Sequence, residues 1–257
     1  MLRAFSAVYW VFVVLTMPIW WLGAFVLWLV ATPFDRRRFL SQMYSCTWAS
    51  FYVWMNPLWR ARFTGRSRLP WRGPAVLVAN HLSTLDILVV YGLFRPFKFV
   101  ARADLFRVPA VGWNMWMNDY VPLVRGDRES IRKMMAHCRA HLARGSPVFI
   151  FAEGTRSRDG HLQPFKLGAF RLAAEAGVPV VPIAISGTGE ALPKAGLVMT
   201  GRMAARVQVL EPIPPSPDSD ALRRAAHAAI AAALPEPNRP IAAEVASLDD
   251  PAGAQVS

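Results

Sequence analysis

The sequence predicts an α/β fold: a central, mostly parallel sheet covered by helices, preceded by an N-terminal membrane-binding helical segment. Two observations lead to this prediction. Residues 1–59 are strongly apolar, and from about residue 75 short apolar runs bounded by Gly, Pro or polar residues alternate with helix-compatible segments. Strands that alternate with helices are typical of a parallel sheet with helices on both faces. With 257 residues, the chain is also long enough to bury a substantial core.

The first element is an uncharged run from Ala4 to Pro33, which exceeds the roughly 20 residues that span a bilayer core. The run is too long for the apolar part of a signal peptide, about 7–15 residues, and no small-residue cleavage site follows it before Asp35. Its Trp and Tyr residues are spread along the segment, as in a helix that lies in the headgroup zone. Spanning the bilayer and lying within one leaflet therefore both remain open.

A second uncharged run extends from Phe39 to Trp59, but several Ser, Thr, Asn and Gln residues dilute it. If both runs crossed the membrane, residues 36–38, all Arg, would lie on the face opposite the rest of the protein, against the positive-inside bias. We therefore expect residues 1–59 to form an antiparallel helix pair docked into one leaflet, or one span with one interfacial helix. Everything after Trp59 is then expected on the cytoplasmic side.

An arginine-rich stretch follows the two apolar runs, with no acidic residue among Arg60, Arg62, Arg66, Arg68 and Arg72. Basic residues beside a lipid-embedded helix attract anionic headgroups by about 1 kcal/mol each near the surface. The alternative is a solvated arginine-rich strand and turn with no lipid contact.

The remaining elements form an α/β domain over residues 60–233. The predicted strands are Ala75–Ala79, Phe97–Ala101, Tyr120–Val124, Val148–Ala152, Val180–Ile185 and Arg206–Leu210. The predicted helices are Leu85–Phe94, Arg128–Arg144, Phe165–Ala176 and Asp218–Ala233. Four prolines and many small residues predict a flexible tail over 234–257.

The first candidate site residues follow the strand that ends at Ala79. His81 and Asp86 lie five residues apart at a strand-to-helix junction, where ligands bind in sheets of this kind. His is suited to accept a proton near neutral pH, and a carboxylate on its other ring nitrogen fixes the tautomer. The alternative is structural: Ser83 and Asp86 have the spacing of a capping box, which would make Asp86 a helix-start acid. Both roles can coexist.

Two further clusters follow strand ends. Glu153, Gly154, Thr155 and Arg156 form a turn in which Gly admits a close approach, Thr supplies a hydroxyl and Arg a paired donor. Arg125 lies after another strand and faces the same crevice as His81 if the strands are parallel. Taken alone, each of these clusters is also compatible with an ordinary polar surface loop.

The charge balance limits the classes of partner. Lys and Arg total 29 against 17 Asp and Glu, which gives a net charge of +12, so an anionic lipid, a phosphorylated substrate or a nucleic acid must be considered. No nucleic-acid-binding module is recognisable, and the arginines concentrate beside apolar segments, so we expect no nucleic-acid partner. The two cysteines, Cys46 and Cys138, cannot form a disulfide framework or a structural zinc site by themselves.

Four blocks in order resemble those of the glycerolipid acyltransferases, and among them most closely the 1-acylglycerol-3-phosphate acyltransferases. The blocks are Asn80-His81 with Asp86, then Arg125, then Phe151–Ser157, then Val178–Pro182. The similarity covers roughly residues 60–210. Ala152 departs from the family, which usually has Pro before the Glu, and Arg102 and Asp104 stand where Lys and Glu are more common.

The resemblance implies a glycerolphosphate acyltransferase-like fold and direct acyl transfer without an acyl-enzyme. His81 acts as general base on the sn-2 hydroxyl of lysophosphatidic acid and Asp86 orients it. Arg125 and residues 153–156 hold the acceptor's phosphate. The donor is acyl-CoA or acyl carrier protein, and no metal or other cofactor is required. The product is phosphatidic acid.

Two alternatives are kept. The same chemistry can act on another lyso-lipid such as a lyso-ornithine lipid, in keeping with the altered Ala152, or the protein can be a non-catalytic binder of anionic membranes. The expected location is the inner membrane of a bacterium, with the catalytic domain on the cytoplasmic face.

Overall fold

The computed structural model describes residues 1–157, 159–192 and 198–240. The helices are α1 (Leu2–Ala31), α2 (Phe39–Met55), α3 (Leu85–Tyr91), α4 (Val111–Met117), α5 (Arg128–Ala143), α6 (Gly168–Ala176) and α7 (Ser219–Ala233). The strands are β1 (Trp59–Thr64), β2 (Val76–Ala79), β3 (Lys98–Arg102), β4 (Val121–Leu123), β5 (Val148–Phe151), β6 (Val180–Ser186) and β7 (Met203–Val209). Short 3₁₀ turns occupy Arg66–Arg68, Ala103–Arg107 and Glu236–Asn238.

The strands form one sheet in the order β1-β7-β6-β2-β5-β3-β4. Every neighbouring pair is parallel except β6 and β7, which are antiparallel. The prediction of a mostly parallel sheet is confirmed. β2 and β6 lie at its centre and are buried along their whole length, as expected for strands covered on both faces.

Helices cover both faces of the sheet. On one face, α1, α2 and α3 pack over an aromatic cluster that includes Phe97, Phe99 and Phe149. On the other face, α5, α6 and α7 pack over aliphatic residues and Phe170. The side chain of Asp127 begins α5 as an N-cap, accepting hydrogen bonds from the backbone amides of residues 129 and 130 at 3.2 Å each.

The two N-terminal helices form an antiparallel pair. The Tyr9 hydroxyl donates to the Tyr52 carbonyl at 2.7 Å, and the Tyr44 hydroxyl donates to the Trp20 carbonyl at 3.1 Å. Among the described residues, α1 is the one helix long and apolar enough to cross a membrane, with a mean hydropathy of 2.1. Most of its apolar side chains are exposed.

Helix α2 packs into the protein rather than standing apart from the sheet. Its polar residues Ser41, Gln42 and Ser45 are buried. Ser45 is hydrogen-bonded to the amide groups of Asn114 and Asn118 at 3.0 Å. These three polar residues of the second apolar run therefore face protein, whereas Thr47 is exposed, and residues of both helices share one core with the sheet.

Several sequence-based boundaries shift. The arginine-rich stretch after Trp59 begins as strand β1, an edge strand parallel to β7, which the sequence offered only as an alternative. Helix α4 and the 3₁₀ turn before it are additions, and β7 begins at Met203 rather than at Arg206. In the predicted tail, the Asn238 side-chain amide donates to the Gly160 carbonyl at 2.8 Å. Residues 241–257 of that tail lie outside the described residues.

Candidate active site

The central pair is the one that the sequence predicts. His81 Nδ1 lies 2.8 Å from Asp86 Oδ2, in the loop between β2 and α3. Asp86 is fully buried and His81 is 8% exposed, so its ring is accessible from one side. With Nδ1 hydrogen-bonded to the carboxylate, Nε2 is the nitrogen left to accept a proton. This is the geometry of an oriented general base.

Asp86 also closes the start of α3. Its Oδ2 accepts hydrogen bonds from the backbone amides of Leu82 at 2.7 Å and Ser83 at 2.9 Å, and Ser83 Oγ accepts from the Leu85 amide at 3.3 Å. Asp86 Oδ1 accepts from the Thr188 hydroxyl. One carboxylate therefore accepts hydrogen bonds from the imidazole and from the loop amides that precede α3, and four donors fix its position.

The loop that follows β5 fixes His81 from the other side. Glu153 Oε1 accepts the His81 backbone amide at 3.0 Å, and the Ser157 amide donates to the His81 carbonyl at 2.8 Å. The imidazole stacks on Phe151, with ring centroids 4.0 Å apart. Glu153 is buried, so its observed contact is with the backbone of the base, and its role toward a phosphate stays a prediction.

Three guanidinium groups approach one another beside this pair. Burial lowers the pKa of Arg125, and the positive charges of Arg102 and Arg156 lower it further, while Asp104 opposes the change. The Arg156 guanidinium donates to the Thr84 hydroxyl at 3.0 Å, one residue before α3 begins. Arg102 pairs with Asp104. Clustered guanidinium groups favour an anion. Arg102 and Arg125 line the cavity described below, whereas Arg156 is not among its lining residues and contacts Thr84, which is.

The turn at residues 153–156 is compact. Gly154 has a φ of +72°, and a Cβ atom placed on it would lie 3.0 Å from Cδ and Cε of Lys166. The positive φ favours Gly at this position, and a Cβ atom there would make the methylenes of Lys166 shift. Thr155 is exposed and does not line the cavity described next.

A cavity of about 1140 Å³ adjoins the His–Asp pair. One part of its wall is apolar and comes from α1 and α2, through Tyr9, Val13, Trp48 and Tyr52, among others. His81 lines it, and so do Arg125, Gly154 and Lys166. The cavity therefore joins an apolar region, a proton acceptor and basic side chains in one space.

Sequence reasoning missed three contributors to this site. Thr188 is 102 residues from Asp86 along the chain, so no local motif reveals their contact. The stacking of Phe151 on His81 follows from the parallel pairing of β2 with β5, in which Ala79 is opposite Phe151. Lys166 was visible only as part of a helix start.

Comparison with known proteins gives consistent matches. The family model described as Acyltransferase matches residues 60–186. A 1-acyl-sn-glycerol-3-phosphate acyltransferase of Chlamydomonas reinhardtii is 40% identical over 222 residues, which cover 83% of this chain and 66% of the relative. The enzyme of the same description from Pseudomonas aeruginosa is 33% identical over 172 residues, covering 64% of this chain and 63% of the relative.

A solved structure also matches. The crystal structure of the 1-acyl-sn-glycerophosphate acyltransferase of Thermotoga maritima has a TM-score of 0.69 and 25% identity, covering 89% of this chain and 92% of the other. The chain spans about half to two thirds of the length of the first curated relatives that it matches.

Proposed function

Because this chain belongs to the acyltransferase family, we propose that it transfers a fatty acyl group from a thioester donor to the free sn-2 hydroxyl of lysophosphatidic acid. The observation that carries the proposal is the oriented His81–Asp86 pair, which opens into a cavity that is apolar in one part and lined by basic side chains in another. Such a cavity suits a lipid with an anionic headgroup.

In the proposed reaction, His81 Nε2 accepts the proton of the acceptor's hydroxyl group. At the same time, the oxygen of that hydroxyl attacks the carbonyl carbon of the thioester. The carbon–sulfur bond then breaks, and the imidazolium returns the proton to the leaving thiolate. Atoms and charge balance without an acyl-enzyme. The Asp86 carboxylate stabilises the imidazolium, and general base catalysis of this kind contributes roughly 10²- to 10⁴-fold to the rate.

The phosphate of the acceptor is proposed to lie between Arg125 and Arg156. The two guanidiniums are close enough for the charge of Arg156 to lower the pKa of Arg125. A dianionic phosphate between them would relieve this repulsion and accept paired hydrogen bonds. Glu153 and Gly154 shape the turn that holds Arg156, and Thr155 adds an exposed hydroxyl. This division of roles is part of the proposal.

The activity test offers the purified protein labelled acyl-CoA or acyl carrier protein with a panel of lyso-lipids, including lysophosphatidic acid and a lyso-ornithine lipid. We expect phosphatidic acid as the main product, with activity lost in His81→Ala and kept in His161→Gln, a histidine remote from the pair in sequence. Transfer only to a different lyso-lipid would overturn the acceptor assignment. Retention of more than about a tenth of the activity in His81→Ala would remove the base from the mechanism.

We also propose that α1 lies along one leaflet rather than across the bilayer. Helix α1 contacts the rest of the protein at separated points: Ser6 Oγ accepts the Met199 amide at 2.9 Å near its start, and the Trp21 ring lies 5.1 Å from that of Trp113 about four turns further along. A perpendicular α1 would carry these partners into the hydrocarbon, where unpaired backbone groups are costly. The exposed residues of α1 are the ones that meet lipid, including Val8, Val14, Leu22 and Leu29.

Helix α4 extends this apolar surface. Trp113 and Trp116 are 49% and 61% exposed, and Val108 and Val111 on the same segment are also exposed. Indole rings are stable at the membrane–water interface. The cytoplasmic face of a bacterial inner membrane stays a prediction, since the relatives include both bacterial and chloroplast proteins.

Site-directed spin labelling tests this orientation. Both native cysteines are buried, so a spin-label reagent should react mainly with a cysteine introduced at an exposed position. Labels at Leu22→Cys and Trp116→Cys should be shielded from a water-soluble nickel chelate in phosphatidylglycerol vesicles, whereas Ala228→Cys on exposed α7 should remain accessible. If the label at position 22 is shielded from the chelate but the label at position 116 is fully accessible to it, α4 is not part of the membrane-contacting surface. Labels at successive exposed positions of α1 should report similar, shallow depths, whereas a depth that increases steadily to the middle of α1 and decreases again toward its other end is expected for a spanning helix and would contradict the proposal.

A further inference from the structure

A second cluster of titratable side chains lies at the amino-terminal ends of the parallel strands, whereas His81 lies at their carboxyl-terminal ends. Asp119 precedes β4, whereas His81 follows β2, and the strands between them run parallel. His137 and His141 lie one turn apart on α5 and face Asp119. This cluster is separate from the residues proposed for acyl transfer.

The ligand atoms of the three residues are close enough to share one ion. His137 Nε2 lies 3.2 Å from Asp119 Oδ1, and His141 Nε2 lies 3.8 Å from Asp119 Oδ2. One ligand atom from each residue can be chosen so that all three lie within 4.8 Å of one another. Two ligands that each bind Zn²⁺ at about 2.1 Å in a tetrahedron lie roughly 3.4 Å apart, so small side-chain movements suffice.

The burial of His141 is a second, independent observation. The residue is 1% exposed, and its Nε2 has no hydrogen-bond partner among the described residues. A buried ring nitrogen without a partner is costly, and native proteins seldom retain one without a reason. This Nε2 is the His141 nitrogen that faces the Asp119 carboxylate, so the unpartnered atom is directed into the cluster.

We propose that Asp119, His137 and His141 bind one divalent transition-metal ion of the Zn²⁺ type, with solvent in the fourth position. Two imidazoles and one carboxylate favour zinc over Mg²⁺ or Ca²⁺, which prefer oxygen ligands. The ion would join the turn before β4 to α5 and thereby stabilise that edge of the sheet. It takes no part in acyl transfer.

Two neighbouring cations limit the affinity. Arg144 Nη1 lies 3.6 Å from Asp119 Oδ2, but its side chain is half-exposed and can turn into solvent. Lys98 Nζ is buried and donates to the Asn118 carbonyl at 2.6 Å. The arginine can leave and the lysine is engaged by a backbone carbonyl, so neither blocks the site. Arg144→Gln is therefore expected to bind the metal more tightly than the wild type.

The test uses the full-length chain in detergent, stripped of metal by a chelator and titrated with Zn²⁺ alone by calorimetry, and with Co²⁺ alone by visible absorption. We expect one Zn²⁺ per chain, a rise in Tm, and the intense absorption of four-coordinate Co²⁺. His137→Gln and Asp119→Asn should each weaken binding by at least tenfold, since even the loss of a supporting residue typically costs 10- to 100-fold. His161→Gln, which changes a histidine outside the cluster, should bind like the wild type.

Each other outcome decides against the site. Absence of saturable Zn²⁺ binding overturns the proposal, and so does equal binding by the wild type and His137→Gln. A Co²⁺ spectrum of the weak, six-coordinate aqueous type identifies surface binding only. His137 is partly exposed, so its replacement is compatible with folding, which circular dichroism of each variant checks. Acyl transfer can fail or succeed independently of all these results.

Discussion

Replacement of Asp86 by Asn separates the two roles of this carboxylate. An Asn side chain has the same shape, and its amide oxygen can take the place of Oδ2, accepting the amides of Leu82 and Ser83 as well as His81 Nδ1–H. Its NH₂ group would then face Thr188, whose hydroxyl can accept instead of donate. The fold of the loop is thus expected to survive, and what is removed is the negative charge beside the imidazole.

The size of the effect follows from the geometry. Nδ1 and Oδ2 are 2.8 Å apart, which places the centres of the two charges about 4 Å apart when the imidazolium forms. At an effective dielectric constant of about 20, such a pair interacts by about 4 kcal/mol. At 1.36 kcal/mol for each factor of ten, the loss of the carboxylate charge should lower kcat by about 10²- to 10³-fold. KM should change little, because no substrate contact is assigned to Asp86.

The assay is steady-state transfer of labelled acyl groups from acyl-CoA to lysophosphatidic acid in mixed micelles, with Tm measured on the same samples. Asp86→Ala is the matched control, because it removes the charge and the cap together and should also lower Tm. If Asp86→Asn keeps more than a third of the wild-type kcat while Asp86→Ala loses stability, Asp86 is only a helix cap. The orienting role of the carboxylate would then be refuted.

Three further predictions concern other parts of the structure. Arg125→Ala should raise KM for a phosphate-bearing acceptor by about tenfold or more, as expected for one charge-assisted hydrogen bond of about 1.5–3 kcal/mol, and an equal effect on a phosphate-free acceptor would contradict phosphate binding. Gly154→Ala should lower the free energy of unfolding by about 1 kcal/mol or more and reduce activity, because the new Cβ meets Lys166 at 3.0 Å. Gly160→Ala, with a φ of +91° and its nearest atom at 3.9 Å, is the control that carries backbone strain alone, and equal losses would argue against the lysine contact. Burial lowers the pKa of His227 to about 4, so the unfolded state binds more protons between pH 6.5 and 4 and stability falls as the pH drops through this range. His227→Gln should flatten that fall by up to about 3 kcal/mol in urea titrations, and an unchanged pH profile would show that the imidazole is not held neutral.

The parts of the site that the sequence predicts are those that depend on local spacing. His81 and Asp86 belong to one loop and the start of one helix, so a five-residue spacing is enough to bring them together. Thr188 and the Glu153 carboxylate reach the same loop only because β6 and β5 flank β2 on either side. Pairing between strands that are distant in sequence leaves no periodic signal, so these contacts require the fold.

The elements of the fold divide in the same way, into those that the local sequence predicts and those that it does not. The central strands are continuous apolar runs, and their positions are predicted to within one or two residues because burial on both faces leaves little choice of residue type. β1 is an edge strand that alternates apolar residues with arginines, so its composition is that of a solvated segment. Helix α4 has seven residues, as α3 does, but it contains Gly112, and Pro109 directly precedes its N-cap; neither residue type favours a helix.

Hydropathy alone does not distinguish the second apolar run, which packs inside the protein, from the first, which is largely exposed. Both runs satisfy the length expected of membrane helices. Yet Ser45 of α2 bonds to Asn114 of α4 and Gln42 accepts from Tyr120 just before β4, while α1 leaves most of its apolar side chains exposed. The cavity beside His81 is lined by residues of both helices, and Tyr9 of α1 also packs on Trp59 of β1, with ring centroids 5.2 Å apart. If α1 rests in one leaflet, an acyl chain can pass from the bilayer into this cavity along apolar side chains, without its methylenes crossing water at about 0.8 kcal/mol each. In this arrangement, which rests on the proposed orientation of α1, the proposed base would be within reach of substrates held at the membrane surface.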